Sequence, residues 1–180
     1  MKKLLSLLIT TLLISGCTSP TKVSAPGFVT SCDQIRLLES ADKSALMGCL
    51  DGSGEIDFHQ IKGPLLINVW GSWCEGCKQE MPYFVELYQN PLFKNGQIQM
   101  LGVNVEEKSK EDAIDYIQKS GMSWPNLEDT SGISKSIFGP GVPVTWFIAA
   151  DGSVAYKHIG IIKDLDEIVA LTEKHLGVKL

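Results

Sequence analysis

No segment of this 180-residue sequence gathers lysine and arginine into a cluster, and its formal charge of −5 offers no basic surface for nucleic acid. It also lacks the run of about 20 apolar residues that crosses a bilayer. Its N-terminal apolar run, Leu4 to Ile14, is shorter than that and is interrupted by Ser6, Thr10 and Thr11. Histidine is scarce: His59, His158 and His175 are the only three, and they stand far apart, so no histidine cluster marks a metal site. No internal repeat and no shift of composition marks a second domain. Cysteine is what the chain does have, at positions 17, 32, 49, 74 and 77.

Lys2 and Lys3 followed by the apolar run read as a targeting segment over residues 1–16, outside the fold. Its end, Ile14-Ser15-Gly16-Cys17, resembles the lipobox of bacterial lipoprotein signal peptides. That resemblance implies cleavage before Cys17 and lipid on its thiol, hence an extracytoplasmic protein anchored to the bacterial membrane. Loss of Lys2 and Lys3 takes the formal charge from −5 to −7, which bears on solubility and not on chemistry. Residues 17–30, rich in Ser, Thr, Pro and Gly, are expected to form a flexible tether. Residues 31–180 are enough for one domain, with 31–48 as an N-terminal extension.

Cys74-Glu75-Gly76-Cys77 carries the chemistry. It follows the apolar run Leu65 to Trp70 and opens a helical stretch, Lys78 to Gln89. Two cysteines three apart at a first helical turn have Cα atoms about 5–6 Å apart, within the reach of a disulfide. The unpaired N–H groups and dipole of a helix start stabilise a thiolate at the first of them, and such thiols exchange readily with other disulfides. Without a lipidated Cys17 four cysteines remain, and these permit three pairings. If Cys74 pairs with Cys77, the partner left for Cys32 is Cys49, a structural disulfide suited to an oxidising compartment.

Along the domain, Leu65–Trp70 reads as a strand buried on both faces. The next helix carries one apolar stripe, Met81, Phe84, Val85 and Tyr88. Residues 98–105 form a second strand. Ser109 to Asp112 begin a helix that Gly121 ends, and 133–138 form a short helix. Residues 144–149 and 154–159 form a hairpin through Asp151-Gly152. Asp164 caps a final helix that Gly177 ends. Trp70, Trp124, Trp146 and Phe147 are read as core. The order is βαβ, a helical segment, a hairpin and a helix, giving an α/β domain in which helices flank a central mixed sheet.

The run Asn68 to Pro82, with Trp73-Cys74-Glu75-Gly76-Cys77 at its centre, and the later Gly141-Val142-Pro143-Val144-Thr145 resemble the thioredoxin-like family. Within it the chain is similar to the membrane-tethered TlpA and ResA branch, over about Cys49 to Leu180. The resemblance implies a thioredoxin fold with a βα insertion, about Glu106 to Leu127, and no cofactor or metal. It implies a cis Val142–Pro143 peptide that holds a substrate chain beside the dithiol, and an acid, Glu80, that relays protons to Cys77. Trp73 is read as shield and contact for the partner. Two departures stand out. Gly76 replaces the usual proline, and Asn68 replaces the buried acid of thioredoxin, so a proton-moving role is not available at 68. Glu75 opposes the helix dipole at Cys74.

In the mechanism expected, Cys74 attacks a partner disulfide and Cys77 resolves the mixed disulfide. By analogy the partners are exported protein thiols, such as apocytochrome c, which the chain keeps reduced with electrons from a membrane thiol-disulfide carrier. One rival is a redoxin-type peroxidase, although a peroxidatic cysteine sits in a Thr/Ser-containing loop without a second cysteine three residues on. The other is a copper or metal chaperone using the same thiols.

Overall fold

A computed structural model describes residues 25–39 and 44–180. The targeting segment 1–16, Cys17 and the first part of the expected tether lie outside the described residues. Twelve elements follow in chain order: β1 (Leu46–Cys49), β2 (Glu55–Asp57), β3 (Leu65–Trp70), α1 (Glu75–Leu87), α2 (Pro91–Lys94), β4 (Gln99–Val105), α3 (Lys110–Ser120), β5 (Asn126–Asp129), α4 (Ser134–Phe138), β6 (Val144–Ile148), β7 (Val154–Ile159) and α5 (Leu165–Leu176).

The apolar run of β3 is buried at all six positions because β3 sits inside the sheet, parallel to β4 and antiparallel to β6. The sheet order is β2-β1-β5-β4-β3-β6-β7. Side chains alternate across it, and the two faces carry separate cores. Leu66, Trp70 and Phe147 join Met81 and Phe84 of α1 and Ile168 of α5 on one face. Leu65, Ile67, Val69 and Trp146 join Phe58 and Phe138 on the other. Trp70, Trp124 and Phe147 are completely buried, and Trp146 nearly so. The helix ends follow the sequence signals: Ser109 accepts from the Asp112 N–H, Asp164 accepts from the Glu167 N–H, and Gly121 and Gly177 close α3 and α5 at φ 86° and 67°.

Three strands have no counterpart in the sequence reading. β1, β2 and β5 are three or four residues long, and β5 is Asn-Leu-Glu-Asp, so none has the apolar run that identifies a strand. Pairing makes them strands: β5 lies parallel to β4, and β1 lies antiparallel to both β5 and β2. The segment read as an extension therefore enters the sheet at Leu46. Ile35 and Met47 are buried by this arrangement, whereas Leu37 and Leu46 remain exposed.

The tether expected to reach residue 30 is docked well before it. The Gly27 N–H donates to Gln118 O at 3.0 Å and the Phe28 N–H to Met122 O at 2.9 Å, while Thr30 bridges to Pro125. A Cβ on Gly27 would lie 2.1 Å from Ile117 O, so only glycine allows this approach. Composition pointed to a loose segment; backbone hydrogen bonds to the end of α3 hold it.

Candidate active site

β3 ends under the start of α1, and the turn Gly71-Ser72-Trp73 delivers Cys74 as the N-cap of that helix. Cys74 has extended backbone (φ −81°, ψ 110°), and its sulfur accepts the Cys77 N–H at 3.1 Å. This places one of the unpaired donors of a helix start on the sulfur that a thiolate would occupy. Cys74 and Cys77 are joined, with Cα atoms 5.3 Å apart. Cys74 is 5% exposed and Cys77 is fully buried, so the first sulfur is the one an incoming group meets. Glu75, whose charge opposes the dipole, has Lys78 at 3.8 Å as a partial counterweight.

Trp73 is 48% exposed beside Cys74, and its Nε1–H donates to Val105 O at 3.2 Å. Val142–Pro143 is a cis peptide leading into β6. Pro143 comes to the dithiol through Gly76: a Cβ there would sit 3.2 Å from Pro143 Cδ and 3.0 Å from Ile161 Cγ1. Gly76 thus lets two apolar side chains close on the backbone between the cysteines. Trp73, Val142 and Pro143, selected from the sequence, all flank the cysteine turn; Ile161 joins them, and no motif or spacing singles it out.

Glu80, one turn past Cys77, is fully buried and not a solvated helix residue. Its Oε1 accepts Asn68 Nδ2–H at 2.8 Å, and its Oε2 accepts the Ile162 N–H at 2.9 Å. Burial pushes its carboxyl up from the ordinary 4.5 to about 7, against the lowering effect of those two hydrogen bonds and with a further upward push from Glu167. Asn68 therefore does have a part here, as the group that orients the acid. Chain order does not show that Asn68 of β3 and Glu80 of α1 meet on one face of the sheet, so this contact was invisible in the sequence.

Glu107 was also missed. It follows β4 and reaches across to the active-site turn, where Oε1 accepts the Ser72 N–H at 2.5 Å and Oε2 accepts Ser72 Oγ–H at 2.7 Å. Asn104 Nδ2 donates to Oε1 at 2.8 Å. Glu106 before it has a left-handed backbone, φ 53°, which a non-glycine residue adopts only where surrounding structure requires it. Glu107→Ala leaves the Ser72 donors unpartnered. The expected result is a loss of about 1–3 kcal/mol of stability by denaturant titration and slower alkylation of reduced Cys74. Unchanged values in both measurements would remove Glu107 from the site.

The three histidines stay apart from the cysteine pair. His59 lies near Phe58, His175 stacks on Tyr156 at 4.1 Å, and His158 is on β7. Among the described residues the one group with metal-ligand spacing is Cys32, Cys49 and Asp51. Its two sulfurs are joined to each other.

The profile of the AhpC/TSA family matches residues 41–157. A protein called thiol-disulfide oxidoreductase ResA from Geobacillus thermodenitrificans is 33% identical over 91 residues, covering 50% of this chain and 51% of that protein. A Bacillus anthracis protein of the same name is 28% identical over 161 residues, 88% of each. The chain thus spans about half the length of the first relative and most of the second. The crystal structure of StoA from Bacillus subtilis matches with a TM-score of 0.58 at 21% identity, over 74% of this chain and 98% of that one. At that identity the likeness speaks for the fold.

Proposed function

Given that this chain belongs to the AhpC/TSA family, on a thioredoxin-like fold, we propose that it exchanges disulfides with other proteins through Cys74 and Cys77. The observation that carries this is the cysteine pair at the start of α1, with the outer sulfur holding a helix-start N–H and the inner one fully buried. The names of the relatives are consistent with it.

In the reducing direction the Cys74 thiolate attacks the partner disulfide and displaces one partner thiolate. Cys77 then loses its proton to Glu80 and attacks Cys74, which releases the partner's second sulfur and leaves Cys74–Cys77 oxidised. A carboxyl near 7 is matched to this work, because it both accepts and returns a proton at neutral pH. Trp73, Val142, Pro143 and Ile161 form the apolar rim against which the partner chain lies. We further propose that the protein works outside the cytoplasm, lipid-anchored through Cys17, as a reductant of exported thiols such as those of apocytochrome c, re-reduced by a membrane thiol carrier. Support for this part comes from the N-terminal sequence and the kinship with ResA proteins.

The protein with added dithiol is expected to reduce insulin disulfides and to consume hydrogen peroxide no faster than free thiols do. Peroxide turnover at catalytic rates would instead establish the peroxidase. The rate of exchange is expected to rise through an inflection near pH 7 that Glu80→Gln removes. The same variant reports on stability. A carboxyl raised in the folded state stabilises the fold fully below its unfolded value, about 4.5, and loses that contribution as pH rises through about 7. Glu80→Gln should therefore flatten the fall in melting temperature between about pH 4.5 and 7; an unchanged profile in both measurements would relieve Glu80 of the proton role.

A further inference from the structure

Glu80 is sealed from solvent, so a proton it takes from Cys77 needs a way out. The sheet supplies one. Asn68 on β3 pairs with Thr145 on β6, and Thr145 pairs with His158 on β7. Cross-strand partners share a face, and Asn68 shows which face, because it bonds Glu80 of α1. The row Asn68–Thr145–His158 therefore runs beneath α1 and α5 from the acid to the sheet edge, spanning two strand spacings, about 10 Å.

Two features set this row apart from ordinary core. Asn68 Oδ1 and Thr145 Oγ1 are buried without a protein hydrogen-bond partner, in side chains with no exposed surface. An orphaned buried hydroxyl or amide oxygen weakens a fold, and a water held between the two would satisfy both. At the outer end, half-buried His158 lines an open cavity of about 960 Å³ with Gln79, Tyr83, Ile162, Lys163 and Glu167. Ile162 is the residue whose N–H holds Glu80.

We propose that the proton released by Cys77 leaves Glu80 along the Asn68–Thr145–His158 row, with His158 exchanging it with solvent in the cavity. This rests on the proton role of Glu80 in the reading above. The step balances: the Cys77 thiol gives its proton to Glu80, its electron pair forms the bond to Cys74, and the partner sulfur departs with the electron pair of the broken bond. Glu80 then passes its proton by way of a water bound to Asn68 Oδ1 and Thr145 Oγ1, and of the Thr145 hydroxyl, to the imidazole of His158, which releases it to the cavity. Asn68 is a positioning residue, Thr145 relays through its hydroxyl, and His158, which lines the cavity, is the exchange point. The other titratable groups around the acid and the cavity are Glu167 on α5, Tyr116 on α3, Glu75 and Tyr83 on α1, and Lys163 before α5. None of them lies in the row.

The test is stopped-flow release of a fluorescent peptide from the Cys74 mixed disulfide, which reads the attack by Cys77, across neutral pH at low buffer. Thr145→Val and His158→Ala are each expected to slow release roughly tenfold, below the full contribution of a proton-transfer group because the acid itself remains. Added imidazole should restore His158→Ala and leave Thr145→Val slow. Thr145→Val keeps the shape of the side chain, and its melting temperature is measured alongside to show that the fold is intact; His158→Gln repeats the measurement if the alanine variant folds poorly. Parental rates in both variants, while Glu80→Gln still abolishes the inflection, would refute the row and leave the reading of Glu80 intact. A slow His158→Ala without imidazole response would also refute it. A parental profile in Glu80→Gln overturns the proton role of Glu80 and this route together.

Discussion

Cys74→Ala is expected to lower insulin reduction by roughly 10³-fold or more, the scale on which removing a covalent nucleophile acts, whereas Cys77→Ser should trap the partner as a stable mixed disulfide. The asymmetry follows from position. Cys74 is the N-cap of α1 and its sulfur receives the Cys77 N–H, so the helix start favours negative charge there. Cys77 is sealed beneath it and meets a sulfur only when Cys74 already carries one. Brief alkylation of the reduced protein should therefore label Cys74 first, and a gel under non-reducing conditions should show partner adducts with Cys77→Ser and none with Cys74→Ala. Adducts on Cys77, or faster labelling of Cys77, would reverse the assignment. In cells, alkylation trapping should find Cys74 and Cys77 mostly reduced if the protein is a reductant; a mostly oxidised pair would reverse the direction of electron flow.

How far the sequence led depends on the range of the interactions involved. The buried strand at 65–70, the stripe of α1, the caps of α3 and α5 and the Asp151-Gly152 hairpin are written in neighbouring residues, and each appears in the structure at close to its expected place. The strands β1, β2 and β5 are not, because their pairing partners are up to about 80 residues away and their own residues carry no apolar period. The site divides in the same way. The cysteine pair, Trp73 and Glu80 fall within residues 73–80, at and just inside the start of one helix, and their spacing alone orients them. Asn68, Glu107 and Ile161 act between separate elements, as hydrogen-bond or packing partners of groups that no local pattern pairs with them. Asn68 shows the limit most plainly: as a substitution for a buried acid it read as the loss of a function, and the structure makes it the support of the acid one helix turn beyond Cys77.

Replacing Cys32 and Cys49 by serine is expected to cost about 3 kcal/mol, by the loop-closure relation for a crosslink separated by 17 residues, and to lower the melting temperature by roughly 6–12 °C in a domain of this size. Exchange at Cys74 should be unchanged at 25 °C. Cys32 opens a short 3-10 helix that Ser31 caps, and Cys49 ends β1, so the bond ties the N-terminal segment to a strand lying between β2 and β5. Both cysteines are 4% exposed, and a carboxylate oxygen of Asp51 lies within 4.8 Å of their sulfurs. Burial and a nearby negative charge both oppose the approach of a thiolate, which is the species that opens a disulfide. The alternative role, a relay passing electrons to Cys74–Cys77, requires sulfur to meet sulfur. Cys32 and Cys49 belong to the core on one face of the sheet, and Cys74 and Cys77 to the core on the other, so the sheet itself separates them. Mass mapping in mild reductant should accordingly find Cys74–Cys77 open while Cys32–Cys49 stays closed. If both open at one potential, or if the double serine variant loses exchange activity without losing stability, the bond is a redox partner and not a staple.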